Sequence, residues 1–343
     1  MKNIFKEFPL VHHPEKKLLL LVILGLAIHL ILPQITSLEH SWRVLQSLLL
    51  WAVGLAFVSQ VISYLGSGYL LKKYLHLVHQ HVSLARSTLI VLGSASVGMV
   101  AGGIVGGSVA IYNWVSRGDG HPERATMASL LPSLMNTIAL VVCSVFGLTH
   151  LIFIHDLSKA QLISFFSILL FLVFVFSLVI VTLRYRDRTT TVIVWIASRL
   201  ARLRRKQYKS SDTQDSMRDL FSVWDALRTG GWRDLALGAA ITVLFDMLTL
   251  FFLFVAAGHN VSPGVLLAGY GLPLLLGKMA FVVPGGVGVV EGSMAALYDT
   301  LGVPDQVTVV VVLGYRLISF WFPSLSGFAA VAYLQRSKPE ISP

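Results

Sequence analysis

The residue types most able to do chemistry in this chain cluster around the run Pro284-Gly285-Gly286-Val287-Gly288-Val289-Val290-Glu291-Gly292, which lies between two strongly apolar segments. Pro284 removes a backbone donor, and the glycines at 285, 286, 288 and 292 permit backbone conformations closed to other residues and close approach by neighbouring groups. Such a run should break a membrane helix. Irregular backbone at membrane depth is tolerated only where protein or a water-filled cavity surrounds it, so the run reads as the lining of a site, with Glu291 as its ionisable group. Arg316, about ten residues into the last apolar segment, needs a carboxylate at that depth, and Glu291 and Asp246 are the available partners. A phosphate headgroup could replace the partner, because the planar guanidinium fork suits phosphate; a structural ion pair is the other reading. Lys278 adds a cation that could instead snorkel outward. The substrate-binding and translocation candidates are therefore Glu291, Arg316, Asp246, Lys278, Pro284, Gly285, Gly286 and Gly288.

The elements that must carry these residues are membrane segments. Hydrophobic residues make up 55% of the 343 and charged residues only 13%, against roughly a quarter charged in soluble domains. The fold class is all-α integral membrane protein. The chain has room for about eight membrane segments of about 20 residues, read as about six full spans plus two glycine-rich re-entrant hairpins. Little is left over for a soluble domain, so residues 1–343 read as one polytopic membrane domain.

The net charge of +10 does not signal nucleic acid, because the basic residues gather at segment ends and in one long loop. Lys2, Lys6, Lys16 and Lys17 precede the first apolar run and place the N-terminus in the cytoplasm; the length of that run argues against a cleaved signal peptide. Segments follow at 18–32, 44–71, 125–148, 161–183, 235–257 and 307–334. Between them lie the glycine-rich stretch 89–112, read as a hairpin, and the segment from Gly264 into the Pro284 run. The loop 184–233 is the most basic and should be cytoplasmic, as should Arg336 and Lys338; Gly258 to Pro263 should be external. Val192, Ile196, Leu200 and Leu203 recur at helical spacing opposite Arg199, Arg202, Arg205 and Lys206, the pattern of a helix lying on an anionic leaflet. Leu220, Val223, Trp224 and Leu227 suggest a second such helix.

Counting crossings exposes a symmetry. The first hairpin dips from the cytoplasm and the second from outside, so residues 1–157 and 158–338 read as inverted repeats, each with a glycine-rich hairpin, a proline turn and a final span. Inverted repeats with broken helices meeting at mid-membrane are the architecture of alternating-access transporters.

The Pro284–Glu291 run, followed by Gly314-Tyr315-Arg316-Leu317-Ile318-Ser319-Phe320-Trp321, resembles the PGGxGxxE signature and downstream arginine of the lysylphosphatidylglycerol synthase transmembrane-region family. That family includes the flippase half of bacterial multiple peptide resistance factors and stand-alone relatives. The resemblance implies lipid translocation in a bacterial inner (plasma) membrane, with membrane lipids, anionic or lipid-linked, as partners. It also implies charged residues in the first hairpin and the next span, where this chain has Ser108, Ile111, Ser133 and Asn136. The first half has lost much of the family's charge.

Other classes lack their residues. The lipid-aminoacylating enzyme is a separate soluble domain, for which no segment here is long enough, and neither a GxxxxGK[ST] loop nor an HExxH helix is present. The histidines at 76, 79 and 81 have no Cys, Asp or Glu beside them, so neither a metal nor any other cofactor is expected. The single Cys143 forms no disulfide within the chain. A translocase that is not an enzyme is the expectation, and homo-oligomers are compatible with it; an intramembrane enzyme or accessory factor working on a lipid-linked substrate is the alternative.

Overall fold

The structure, a computed structural model, describes residues 42–78, 80–119, 122–154, 184–203, 231–280 and 283–337, with scattered helical positions within 163–182 and 217–225. The segment at 18–32, most of that at 161–183 and the connector at 210–215 lie outside the described residues, as does most of the second surface helix. Hydrocarbon offers no partner for backbone N–H and C=O groups, so apolar stretches satisfy them internally, as helices. The helices are α1 (Trp42–Gln46), α2 (Leu50–Leu77), α3 (Leu84–Ala101), α4 (Gly103–Asp119), α5 (Pro122–Ile154) and α6 (Arg186–Leu203) in the first part of the chain. After these come α7 (Trp232–Ala256), α8 (Pro263–Met279), a 3-10 turn (Pro284–Gly286), α9 (Val289–Thr300), α10 (Asp305–Arg316), a π turn (Leu317–Trp321) and α11 (Phe322–Arg336). Five stretches, Leu50–Leu77, Leu84–Ala101, Arg124–Phe153, Trp232–Ala256 and Asp305–Arg336, are long and apolar enough to cross a membrane, and α8 is a shorter apolar helix. This is an all-α multi-pass membrane protein.

Three antiparallel seams hold the helices together, and small residues set how closely each packs. Along α2 and α7, Leu49 N donates to Ala256 O (2.9 Å), Ser63 Oγ to Thr242 O (2.9 Å) and Lys73 Nζ to Asp234 (2.7 Å). Gly66 faces Ile241 and Gly238 faces Leu70, each too close for a side chain. Along α5 and α8, Gly147 meets the Ala268 backbone, Gly264 meets His150, and Gly271 meets Ser144. Along α3 and α11, Gly327 lies on the Leu92 carbonyl and Ser96 Oγ donates to Ser324 O (2.6 Å).

Each glycine-rich stretch is a break between paired helices. Gly102 (φ 94°) separates α3 from α4, and the Pro284–Gly286 turn separates α8 from α9. The Pro284–Gly286 turn touches both α3 and α4, so the two broken elements meet inside the molecule. Serine caps start the leading arm of each: Ser83 Oγ accepts from Arg86 N (3.2 Å) and Ser262 Oγ from Val265 N (3.4 Å).

Boundaries differ from the sequence reading at three places. The second segment, expected from residue 44, starts as a full helix at Leu50, with α1 as a separate short helix before it. Helix α5 runs from Pro122 to Ile154, longer than the expected 125–148, and passes through Pro132. The last span, expected as one helix, widens into the π turn, where Phe322 N donates to Leu317 O. Pro323 supplies a cause, because it has no N–H for the Ser319 carbonyl four residues back. That carbonyl accepts from Tyr64 Oη instead (3.3 Å).

Candidate functional site

Glu291 and Arg316 form the buried ion pair that charge burial demands, with Nε donating to Oε1 at 2.6 Å. Only 1% of Glu291 and 4% of Arg316 is exposed. The remaining hydrogen bonds show what the pair holds. Glu291 is the third residue of α9, and its Oε2 accepts from the N–H of Gly288 (2.6 Å), reaching back over the helix start. Arg316 Nη2 donates to the Gly285 carbonyl (2.7 Å), and the guanidinium stacks 4.6 Å from the Phe320 ring centroid. The pair therefore clamps the glycine turn at both ends. The turn needs its glycines: Gly285, Gly286 and Gly288 have φ of 61°, 63° and 84°. A Cβ on Gly285 would strike the Phe320 ring, and one on Gly286 would lie 2.7 Å from the Gly277 Cα.

Asp246, near the middle of α7, pairs with neither end of that clamp. Tyr270 Oη from α8 and Tyr315 Oη from α10 each donate to its Oδ2 at 2.8 Å. Gln60 from α2 lies against the same carboxylate. Asp246 is half-buried, whereas Tyr270, Tyr315 and Gln60 around its carboxylate are buried.

Lys278 is also half-buried, one residue beyond the Gly277 that packs on Gly286. Its Nζ donates to Thr137 Oγ1 on α5 (3.2 Å), and no carboxylate pairs with it among the described residues. The structure thus gathers Glu291, Arg316, Gly285, Gly286 and Gly288 into one clamp, with Asp246 joined to it through the adjacent Tyr315 and Lys278 beside its glycine contact. Tyr270, Tyr315, Gln60 and Thr137 were missed by sequence reasoning, because uncharged polar residues in apolar helices stand out from neither hydropathy nor charge. Tyr270, flanked by Gly269 and Gly271, was the most visible of them.

A multi-pass helical membrane protein whose two broken helices meet around buried charge is the class these features define. The pattern of the family described as "Lysylphosphatidylglycerol synthase TM region" matches residues 18–327, and the chain belongs to that family. It is 25% identical over 248 residues to a UPF0104 membrane protein of Methanothermobacter thermautotrophicus, covering 66% of this chain and 72% of that one. A UPF0104 membrane protein of Pyrococcus horikoshii is 35% identical over 89 residues, 24% of each chain. One of Methanocaldococcus jannaschii is 30% identical over 93 residues, 27% of each. The chain therefore spans about a quarter of the length of these last two relatives.

Proposed function

We propose that the chain is a lipid translocase, moving a phospholipid or lipid-linked anionic or zwitterionic headgroup across the membrane without changing it chemically. The observation that carries this reading is the clamped glycine turn at the meeting of two broken helices, with half-buried groups of both signs beside it. Family membership supports a lipid-related role. Near-constant sequence offsets support the inverted repeat: Leu50 and Trp232, Ser83 and Ser262, Gly102 and Gly285, and Pro122 and Pro304 occupy equivalent places in the two halves.

The headgroup contact falls on Lys278 rather than on Arg316. The arginine gives Nε and Nη2 to protein oxygens, whereas Lys278 has only a neutral hydroxyl to balance a full charge. An anionic phosphate meets that need. In liposomes containing the purified chain and headgroup-labelled lipids, a sidedness assay should show movement above protein-free vesicles, and Lys278→Met should abolish it without loss of folded protein. Wild-type movement in well-folded Lys278→Met would remove the lysine from the path. A chemically altered lipid would move the assignment to an intramembrane enzyme.

A further inference from the structure

We infer that Asp246 is the anchor of an exchangeable monovalent-cation site, distinct from the Glu291–Arg316 clamp and resting on the translocase reading only for its use. The charge count leads there first. Arg316 is close enough to act on Asp246 electrostatically, yet its charge is already matched by Glu291 at 2.6 Å. No lysine or arginine forms an ion pair with Asp246 among the described residues. One negative charge is left over in the middle of an apolar helix, and such a charge requires a proton or a cation.

The ligand set leads to the same place. Around Asp246 stand the phenol oxygens of Tyr270 and Tyr315 and the side-chain amide of Gln60, with Tyr64 also facing it from α2. Those groups come from α2, α8 and α10, and among the described residues Arg316 is the single basic residue whose charge reaches Asp246. Both phenols spend their protons on the same oxygen, Oδ2, and the Tyr315 phenol also lies within hydrogen-bond reach of the Ser319 side chain. Gln60 is 5% exposed, and among the described residues its Oε1 has no hydrogen-bond partner. A buried amide oxygen without a donor is costly, and a cation or a protonated carboxyl supplies what it lacks. Oxygen ligands of this kind suit hard cations and ammonium groups as well as protons. Partial exposure of Asp246 gives the exchange route.

The test uses the full chain in nanodiscs and N,N′-dicyclohexylcarbodiimide, which modifies protonated carboxyls in apolar surroundings, with the labelled residue located by mass spectrometry. Asp246 should be labelled at low pH, and each pH unit above the midpoint should lower labelling about tenfold. Glu291, whose two oxygens are taken by Gly288 N–H and Arg316 Nε, should stay unlabelled. At fixed pH and ionic strength, protection by sodium identifies an alkali-ion site, protection by ethanolammonium identifies a headgroup amine, and protection by neither leaves the proton as the ligand. The melting temperature of the wild type should rise with the same cation and that of Asp246→Asn should not respond. Tyr270→Phe and Tyr315→Phe should each require several-fold more cation for protection. Asp246 labelling insensitive to pH and to both cations overturns the inference, as does an absence of labelling together with a melting temperature that Asp246→Asn leaves equally responsive. A response to pH or cation without lipid movement would sink the translocase reading and leave this site standing; lipid movement with labelling insensitive to pH and to both cations would do the reverse.

Discussion

Glu291 spends both carboxylate oxygens on the protein, and this decides what its neutral analogue would do. An amide in its place keeps one oxygen for Gly288 N–H but turns a donor toward Arg316, so Glu291→Gln leaves a buried guanidinium unmatched. We expect a loss of about 3–5 kcal/mol in unfolding free energy, and the same from Arg316→Ala, which strands the carboxylate. The double variant should recover much of the loss, because removing both charges of a buried pair is far less costly than removing one. Denaturant unfolding in detergent checks all three; a Glu291→Gln protein as stable as wild type would show that the pair does not clamp the turn. That Arg316 must find a carboxylate was legible in the sequence, because buried charge needs a partner and only Glu291 and Asp246 were on offer. Which of Glu291 and Asp246 would take Arg316 was not legible, since it depends on the register of α7 against α10. The phenols of Tyr270 and Tyr315 hydrogen-bond Asp246 without matching its charge, and phenols leave no mark in a charge pattern.

At the scale of elements, glycine positions separate into those that shape a contact and those that do not. Gly286 has φ of 63° and lies on the Gly277 backbone, so Gly286→Ala should cost about 1–3 kcal/mol. Gly292 sits inside α9 with open space where a Cβ would go, so Gly292→Ala should be neutral or stabilise by up to about 1 kcal/mol through helix propensity. Thermal unfolding of the two variants distinguishes them, and equal effects would remove the steric account of the turn. Both breaks were legible as glycine runs, whereas the π turn was not, because its cause lies in one missing N–H and a hydroxyl from a helix remote in sequence. Helix α6 offers a further check. Val192 and Trp195 are exposed on it, and the sequence carries Arg199, Arg202 and Arg205 after them, so reversing those three to Glu should weaken binding of a 190–206 peptide to anionic vesicles. Unchanged binding at low salt would reject the electrostatic explanation.

At the scale of the whole molecule, three antiparallel seams and one charge rule have to agree on which way the chain faces. The pairing of Lys73 with Asp234 and of Leu49 with Ala256 puts the end of α2 and the start of α7 on one side, and the start of α2 and the end of α7 on the other. The α5–α8 seam brings His150 beside Gly264, so the end of α5 and the start of α8 share a side; the loop Gly258 to Pro263 ties them to the end of α7. The α3–α11 seam runs α11 back toward the start of α3, which follows the end of α2. One side therefore holds Lys72, Lys73, Arg86, Arg124, Arg233 and Arg336, while the other holds Arg43, Asp299 and Asp305. Positive charge marks the cytoplasmic face, so the basic side should be cytoplasmic. Accessible tags at Ser211, in the basic loop outside the described residues, and at the C-terminus should report cytoplasm, and a tag at Asn260 should report the outside. Impermeant thiol labelling of single cysteines at these positions in intact cells makes the measurement. Labelling of Ser211→Cys from outside would reverse the assignment. Labelling of Ser211→Cys and Asn260→Cys from the same side would break the α7 crossing and with it the opposed hairpins on which alternating access depends.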